Sequence, residues 1–151
     1  MSKYSTTAKL LWPPVSNEIK TIDSSFEAKG NVHLINVKGF SFYSNASSEY
    51  GGDDSQLNPE DLLASSVSSC FFLTFFAIAN KAKLGLNSYE SNVELYVGGE
   101  RAKSVEKVVF NLKMKFDSEQ DNAKVLELCQ KAHKYCIIAN SLKAELEINL
   151  V

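Results

Sequence analysis

The side chains best suited to chemistry in this chain are thiols: Cys70, Cys129 and Cys136. A cysteine attacks only as its thiolate, so its neighbours decide what it can do. Cys70 lies in the apolar run Cys70-Phe71-Phe72-Leu73-Thr74-Phe75-Phe76. In such company a cysteine is ordinarily a small core hydrophobe whose burial raises its pKa. A reactive Cys70 needs a cation beside it, and its own helix offers none until Lys81. Cys136 falls in Lys134-Tyr135-Cys136-Ile137-Ile138-Ala139-Asn140-Ser141, where the end of a helix is expected to leave the thiol accessible. The two residues stand 66 positions apart and can meet only through the fold. Cys129, His133 and Cys136, at i, i+4 and i+7, share one helical face if the helix persists that far. That spacing admits a metal site, although a fourth ligand would have to be Cys70 or a carboxylate. The alternative places Cys129 in the core and His133 at the surface. His33 sits in a strand-like stretch with no motif around it. Gly51-Gly52 and Gly98-Gly99 are isolated pairs, not a phosphate-binding loop, and no Gly-x-Ser-x-Gly elbow is present.

These residues must be positioned by recognisable elements. Three β-like stretches, Lys20–Ala28, Asn31–Val37 and Phe40–Asn45, are punctuated by Gly30 and Gly39. A loop follows and ends in Asn58-Pro59-Glu60-Asp61. Asn58 is a good N-cap, Pro59 suits the first helical position, and the two acids complement the positive pole of the helix. The pattern predicts a helix from Pro59 to about Lys83, with Gly85 as its stop. Leu63, Val67, Cys70, Phe71, Thr74 and Ile78 form one stripe, and Phe72, Leu73, Phe75 and Phe76 fill the other faces. A helix apolar all round is a buried one. The apolar run from Cys70 to Ala79 is about half of what a bilayer span needs.

Two strands are expected at Ser88–Val97 and Lys107–Phe116, the second with alternating Val108, Phe110, Leu112, Met114 and Phe116. A second helix is expected over about 119–135, opened by Ser118 with Asp121 at the capping-box position. A last strand covers Glu145–Val151. The order β-β-β-α-β-β-α-β is an α+β layout. Residues 1–18, polar and then broken by Pro13-Pro14, read as a peripheral arm, leaving 19–151 as one domain.

Composition narrows the function classes. The chain has 151 residues, 44% hydrophobic and 23% charged, with a formal net charge of -2. Its lysines are dispersed, so it lacks the basic patch that a nucleic-acid partner requires. Three cysteines do not make a secreted disulfide framework, and no secretory pattern opens the sequence. The expectation is a cytoplasmic protein with free thiols and no membrane association.

The segment Asn58-Pro59-Glu60-Asp61-Leu62-Leu63-Ala64, with Cys70-Phe71 following after five residues and Cys136 with Asn140-Ser141 much later, resembles the two-cysteine signature of the OsmC/Ohr family (osmotically inducible protein C and organic hydroperoxide resistance proteins). The resemblance runs from about Lys20 to the last strand. It implies the OsmC/Ohr-like α+β fold and an intertwined homodimer around the long helix. It also implies a cysteine-based peroxidase that uses neither metal nor cofactor. By the same resemblance Cys70 matches the peroxidatic cysteine, Cys136 the resolving cysteine, and Glu60 the acid that orients the family's arginine. The one arginine here, Arg101, lies elsewhere, and the nearest equivalent is Lys29. Lysine supplies charge without the planar two-pronged contact of a guanidinium.

The implied chemistry is thiolate attack on an organic hydroperoxide, a sulfenic acid at Cys70, and a Cys70–Cys136 disulfide reduced by an external dithiol of lipoyl type. Phe71, Phe72, Phe75 and Phe76 would favour an organic peroxide over hydrogen peroxide, or else they are core. The competing reading is a non-catalytic relative that binds a ligand or senses redox state, consistent with Lys29 in the arginine's place. One inference is independent of the family. Glu60 and Cys70 lie ten residues, about 15 Å, apart along one helix. A site using both therefore draws Glu60 from a second subunit whose helix runs antiparallel.

Overall fold

A computed structural model describes residues 2–9, 31–38, 40–101 and 103–151. They fall into two compact units, one of Met1–Leu10 with Leu63–Val151, the other of Leu11–Leu62.

In the first unit, strands β1 (Ser2–Lys9), β4 (Leu86–Gly98), β5 (Ser104–Phe116) and β6 (Glu145–Leu150) form one sheet in the order β1-β4-β5-β6. β1 and β5 run antiparallel to β4, and β6 runs parallel to β5. β4 buries every second residue (Tyr89, Ser91, Val93, Leu95 and Val97), the period of a sheet covered on one face. A parallel neighbour needs a crossover. Here it is α2 (Asn122–Tyr135) followed by the single turn α3 (Ile137–Asn140). The core joins Val67, Phe71 and Phe75 of the long helix to Val93, Leu95, Phe110 and Leu112 of the sheet and to Val125, Cys129 and Ala132 of α2. Phe71 and Phe110 pack as a tilted pair with ring centroids 4.5 Å apart, and both are wholly buried. Burial of each such ring stabilises by about 1.5–3 kcal/mol.

In the second unit, β2 (His33–Val37) and β3 (Phe40–Ser44) make an antiparallel hairpin. A loop with one 3-10 turn at Ser48–Tyr50 follows. Gly52 of this loop is obligatory: a Cβ there would fall 1.7 Å from the carbonyl oxygen of Ala46.

The long helix α1 (Pro59–Lys81) begins as the sequence predicts. Asn58 Oδ1 accepts from the Asp61 N–H at 2.8 Å and Asp61 Oδ2 accepts from the Asn58 N–H at 3.2 Å, a reciprocal capping box. Its end differs from expectation. Lys83 takes a left-handed position at φ 56°, two residues before Gly85, which is left-handed as well at φ 60°. Lys83 N–H donates to Asn80 and Leu84 N–H to Ala79, the paired bonds of a Schellman motif. Leu84 buries beside Ala79, and that apolar contact holds a lysine where glycine is commoner.

Three further expectations are corrected or fall outside the described residues. Residues 2–9 of the expected arm are strand β1, held by eight-residue backbone pairing with β4, from Ser2↔Val97 to Lys9↔Glu90. The strand expected at Lys20–Ala28 lies outside the described residues, as does Lys29. α2 starts at Asn122, because Asp121 is itself the N-cap and accepts from the Ala123 N–H at 3.1 Å.

Candidate active site

Cys70 lies midway along α1, on the flank between its buried and exposed faces. Two contacts fix this stretch. Ser68 and Ser91, both buried, hydrogen-bond through their hydroxyls at 3.2 Å and tie α1 to β4. Thr74 Oγ1 donates to the Cys70 carbonyl at 2.8 Å. Cys70 is half-buried.

Cys136 is where α2 breaks. Its φ of -75° and ψ of 105° make it both the last cap of α2 and the first cap of α3. This turns the side chain inward. Cys136 is wholly buried, against the expectation of an accessible thiol. A helix end is usually solvated, but here the chain folds straight into α3 and the thiol points under it.

The structure brings the two thiols together. Burial first, and then a hydrogen bond with the Cys70 side chain, push the Cys136 thiol up to about 11, against the backbone N–H groups of Ala139 and Ile138, which pull the other way. No disulfide joins them. The arrangement is a pair of interacting free thiols, one on a half-buried residue and the other on a wholly buried one.

The remaining sequence candidates are placed as follows. Glu60 is the second residue of α1, in its first turn. Arg101 is exposed in the turn between β4 and β5. Cys129 is wholly buried, and burial lifts its thiol to about 12, as suits an inert core residue. Among the described residues no three His, Cys, Asp or Glu side chains converge on a possible metal, and Cys136, extended and past the end of α2, does not continue the helical face of Cys129 and His133. Phe71 and Phe75 are core, whereas Phe72 and Phe76 are half-buried and stack at 5.7 Å. Two surface clefts, of about 410 and 420 Å³, are lined by neither Cys70 nor Cys136.

One contributor was present in the sequence without a role. Asn140 Nδ2 donates to the carbonyls of His133, Lys134 and Cys136. The signal for it is an amide side chain one helical turn beyond a helix-ending residue, since amides can donate to orphaned carbonyls.

Residues 52–151 match the family model described as OsmC-like protein. The chain belongs to the OsmC-like family. An OsmC-like protein of unknown function from Vibrio cholerae superimposes with a TM-score of 0.77 at 22% identity, covering 88% of this chain and 100% of that one. An organic hydroperoxide resistance protein from Elizabethkingia anophelis superimposes with a TM-score of 0.72 at 19% identity, covering 89% and 98%. At these identities the likeness establishes the mixed α+β fold. In sequence the chain is 29% identical over 123 residues to the uncharacterized protein MJ0573 of Methanocaldococcus jannaschii, covering 78% of this chain. It spans 60% of that relative's length. The OsmC/Ohr resemblance drawn from the sequence therefore holds at the level of family and fold.

Proposed function

We propose that this OsmC-like chain is a thiol peroxidase that reduces organic hydroperoxides. The observation that carries the reading is the contact between a half-exposed Cys70 and a buried Cys136. Cys70 attacks the outer peroxide oxygen; the O–O bond breaks, the alcohol leaves, and Cys70 becomes a sulfenic acid. The Cys136 sulfur then displaces that hydroxyl, forming the S–S bond and releasing water. A dithiol of lipoyl type restores both thiols by exchange. The names of the Ohr relatives support an organic peroxide, as do Phe72 and Phe76 close after Cys70 on α1. Lys29 is the proposed source of positive charge and Glu60 its partner, supplied across a homodimer. The cytoplasm is the proposed location, because the cycle needs a reducing pool.

The test is peptide mapping of the reduced protein after brief exposure to cumene hydroperoxide or hydrogen peroxide. The expected result is a stoichiometric Cys70–Cys136 disulfide, formed faster with cumene hydroperoxide. Thiols that stay reduced would replace this reading by the non-catalytic ligand-binding or redox-sensing one, which Lys29 in the arginine's place favours.

A further inference from the structure

Cys136 can resolve only while its thiol stays turned toward Cys70, and the backbone alone does not secure that. The last carbonyls of α2 have no donors within the helix. Asn140 Nδ2 donates to three of the carbonyls at this break: His133 at 2.9 Å, Lys134 at 3.1 Å and Cys136 at 2.8 Å. The Asn140 backbone N–H donates to the Cys136 carbonyl as well, at 3.0 Å. An amide carries two N–H groups, so this one is shared among its three acceptors. The carbonyl end is also the negative pole of α2, which suits a donor and repels an anion. Cys136 is thus held on both sides of its ψ bond: the preceding carbonyls are clamped, and its own carbonyl is bound twice. A turn of that bond would swing the thiol out of contact with Cys70.

We propose that Asn140 is a positioning residue for the dithiol: by clamping the carbonyls of His133, Lys134 and Cys136, its amide keeps the Cys136 thiol at closing distance from Cys70. The use of that geometry in turnover rests on the peroxidase reading; the geometry does not. Asn140 acts through the backbone, and its own side chain is exposed, so its loss leaves the core intact.

The test uses Asn140→Ala and the isosteric Asn140→Asp, whose carboxylate cannot donate to carbonyls. Wild type and variants are equilibrated at pH 7 with glutathione redox buffers, and the Cys70–Cys136 disulfide is quantified by mass. One oxidised glutathione oxidises the pair and leaves two reduced glutathiones. The effective concentration of the two thiols should fall about tenfold or more in both variants. The rate of sulfenic acid formation at Cys70 with cumene hydroperoxide should be unchanged, and the closure that follows should slow in proportion. A merely structural role would lower stability without splitting the two steps. If both variants match wild type in glutathione, the positioning role is overturned. If wild-type Cys70 resists peroxide, the peroxidase reading falls instead, and the glutathione measurement still decides on Asn140.

Discussion

At the scale of single residues, Cys70 and Cys136 differ in their surroundings. Cys70, mid-helix in an apolar run, is the open one, because it sits on the flank of α1 and not on its buried face. Cys136, at a helix end, is the shielded one, because the chain turns back over it. The resemblance carried by the Asn58-Pro59-Glu60 opening and the two cysteine contexts suggested pairing Cys70 with Cys136. It could not show their exposure, since that depends on where α2 breaks, a break whose carbonyls Asn140 binds from one turn later. The roles can be separated by single substitutions. Cys70→Ser should abolish hydroperoxide consumption. Cys136→Ser should allow one fast turnover and then stall with a sulfenic acid trappable by dimedone. Lys29→Ala should slow the first step only. Sustained turnover in Cys136→Ser without added small thiol would remove Cys136 as resolver, and an unslowed Lys29→Ala would assign the activating charge elsewhere.

At the scale of elements, legibility followed local chemistry. The start of α1 was readable because Asn58 and Asp61 cap within one turn. Its end was read only in part: Gly85 is left-handed as expected, but Lys83 takes that conformation two residues earlier, because Leu84 buries with Ala79, a tertiary fact. β1 was missed because Ser2-Lys3-Tyr4-Ser5-Thr6-Thr7 carries little alternation, and the strand exists through its backbone ladder to β4. The buried face of α2 carries a consequence for pH. Cys129 and Cys136 both line it, lifted from the ordinary 9.0 to about 12 and about 11, first of all by burial. The folded state therefore keeps protons that the unfolded chain releases. The stability they contribute is intact below pH 9 and is lost as the pH rises through 11 to 12. The expected slope is about 1.4 kcal/mol per pH unit for each thiol. Urea unfolding between pH 8 and 11 should show this decline, and Cys129→Ala should remove one thiol's share of it. Tyr89, also raised by burial, adds to the slope above pH 10 in both proteins. An identical slope in Cys129→Ala would mean that its thiol is already solvated in the fold.

At the scale of the whole molecule, α1 has more apolar surface than its own sheet covers. By length and composition alone it could cross a membrane. One face, through Ala64, Val67, Phe71, Phe75 and Ala79, is core. The opposite stripe of Ser65, Ser66, Ser69, Leu73 and Ala77 is exposed, with Leu73 at 61%. Small residues on that stripe let a second helix approach closely. A two-fold dimer built on antiparallel copies of α1 would have its axis near Ser65, halfway between Glu60 and Cys70, and would set Glu60 of one copy by Cys70 of the other. The sequence foreshadowed this only through the about 15 Å that separates the two residues along one helix. Light scattering should find wild type at the dimer mass. Leu73→Glu, which puts a charge on the stripe one turn from Cys70, should shift it to the monomer and slow peroxide consumption while the Cys70–Cys136 disulfide still forms in glutathione buffer. A monomeric wild type, or a Leu73→Glu variant that remains dimeric, would place the contact elsewhere and leave Glu60 without a route to the thiol, because no bend of a continuous helix brings its second residue to its twelfth.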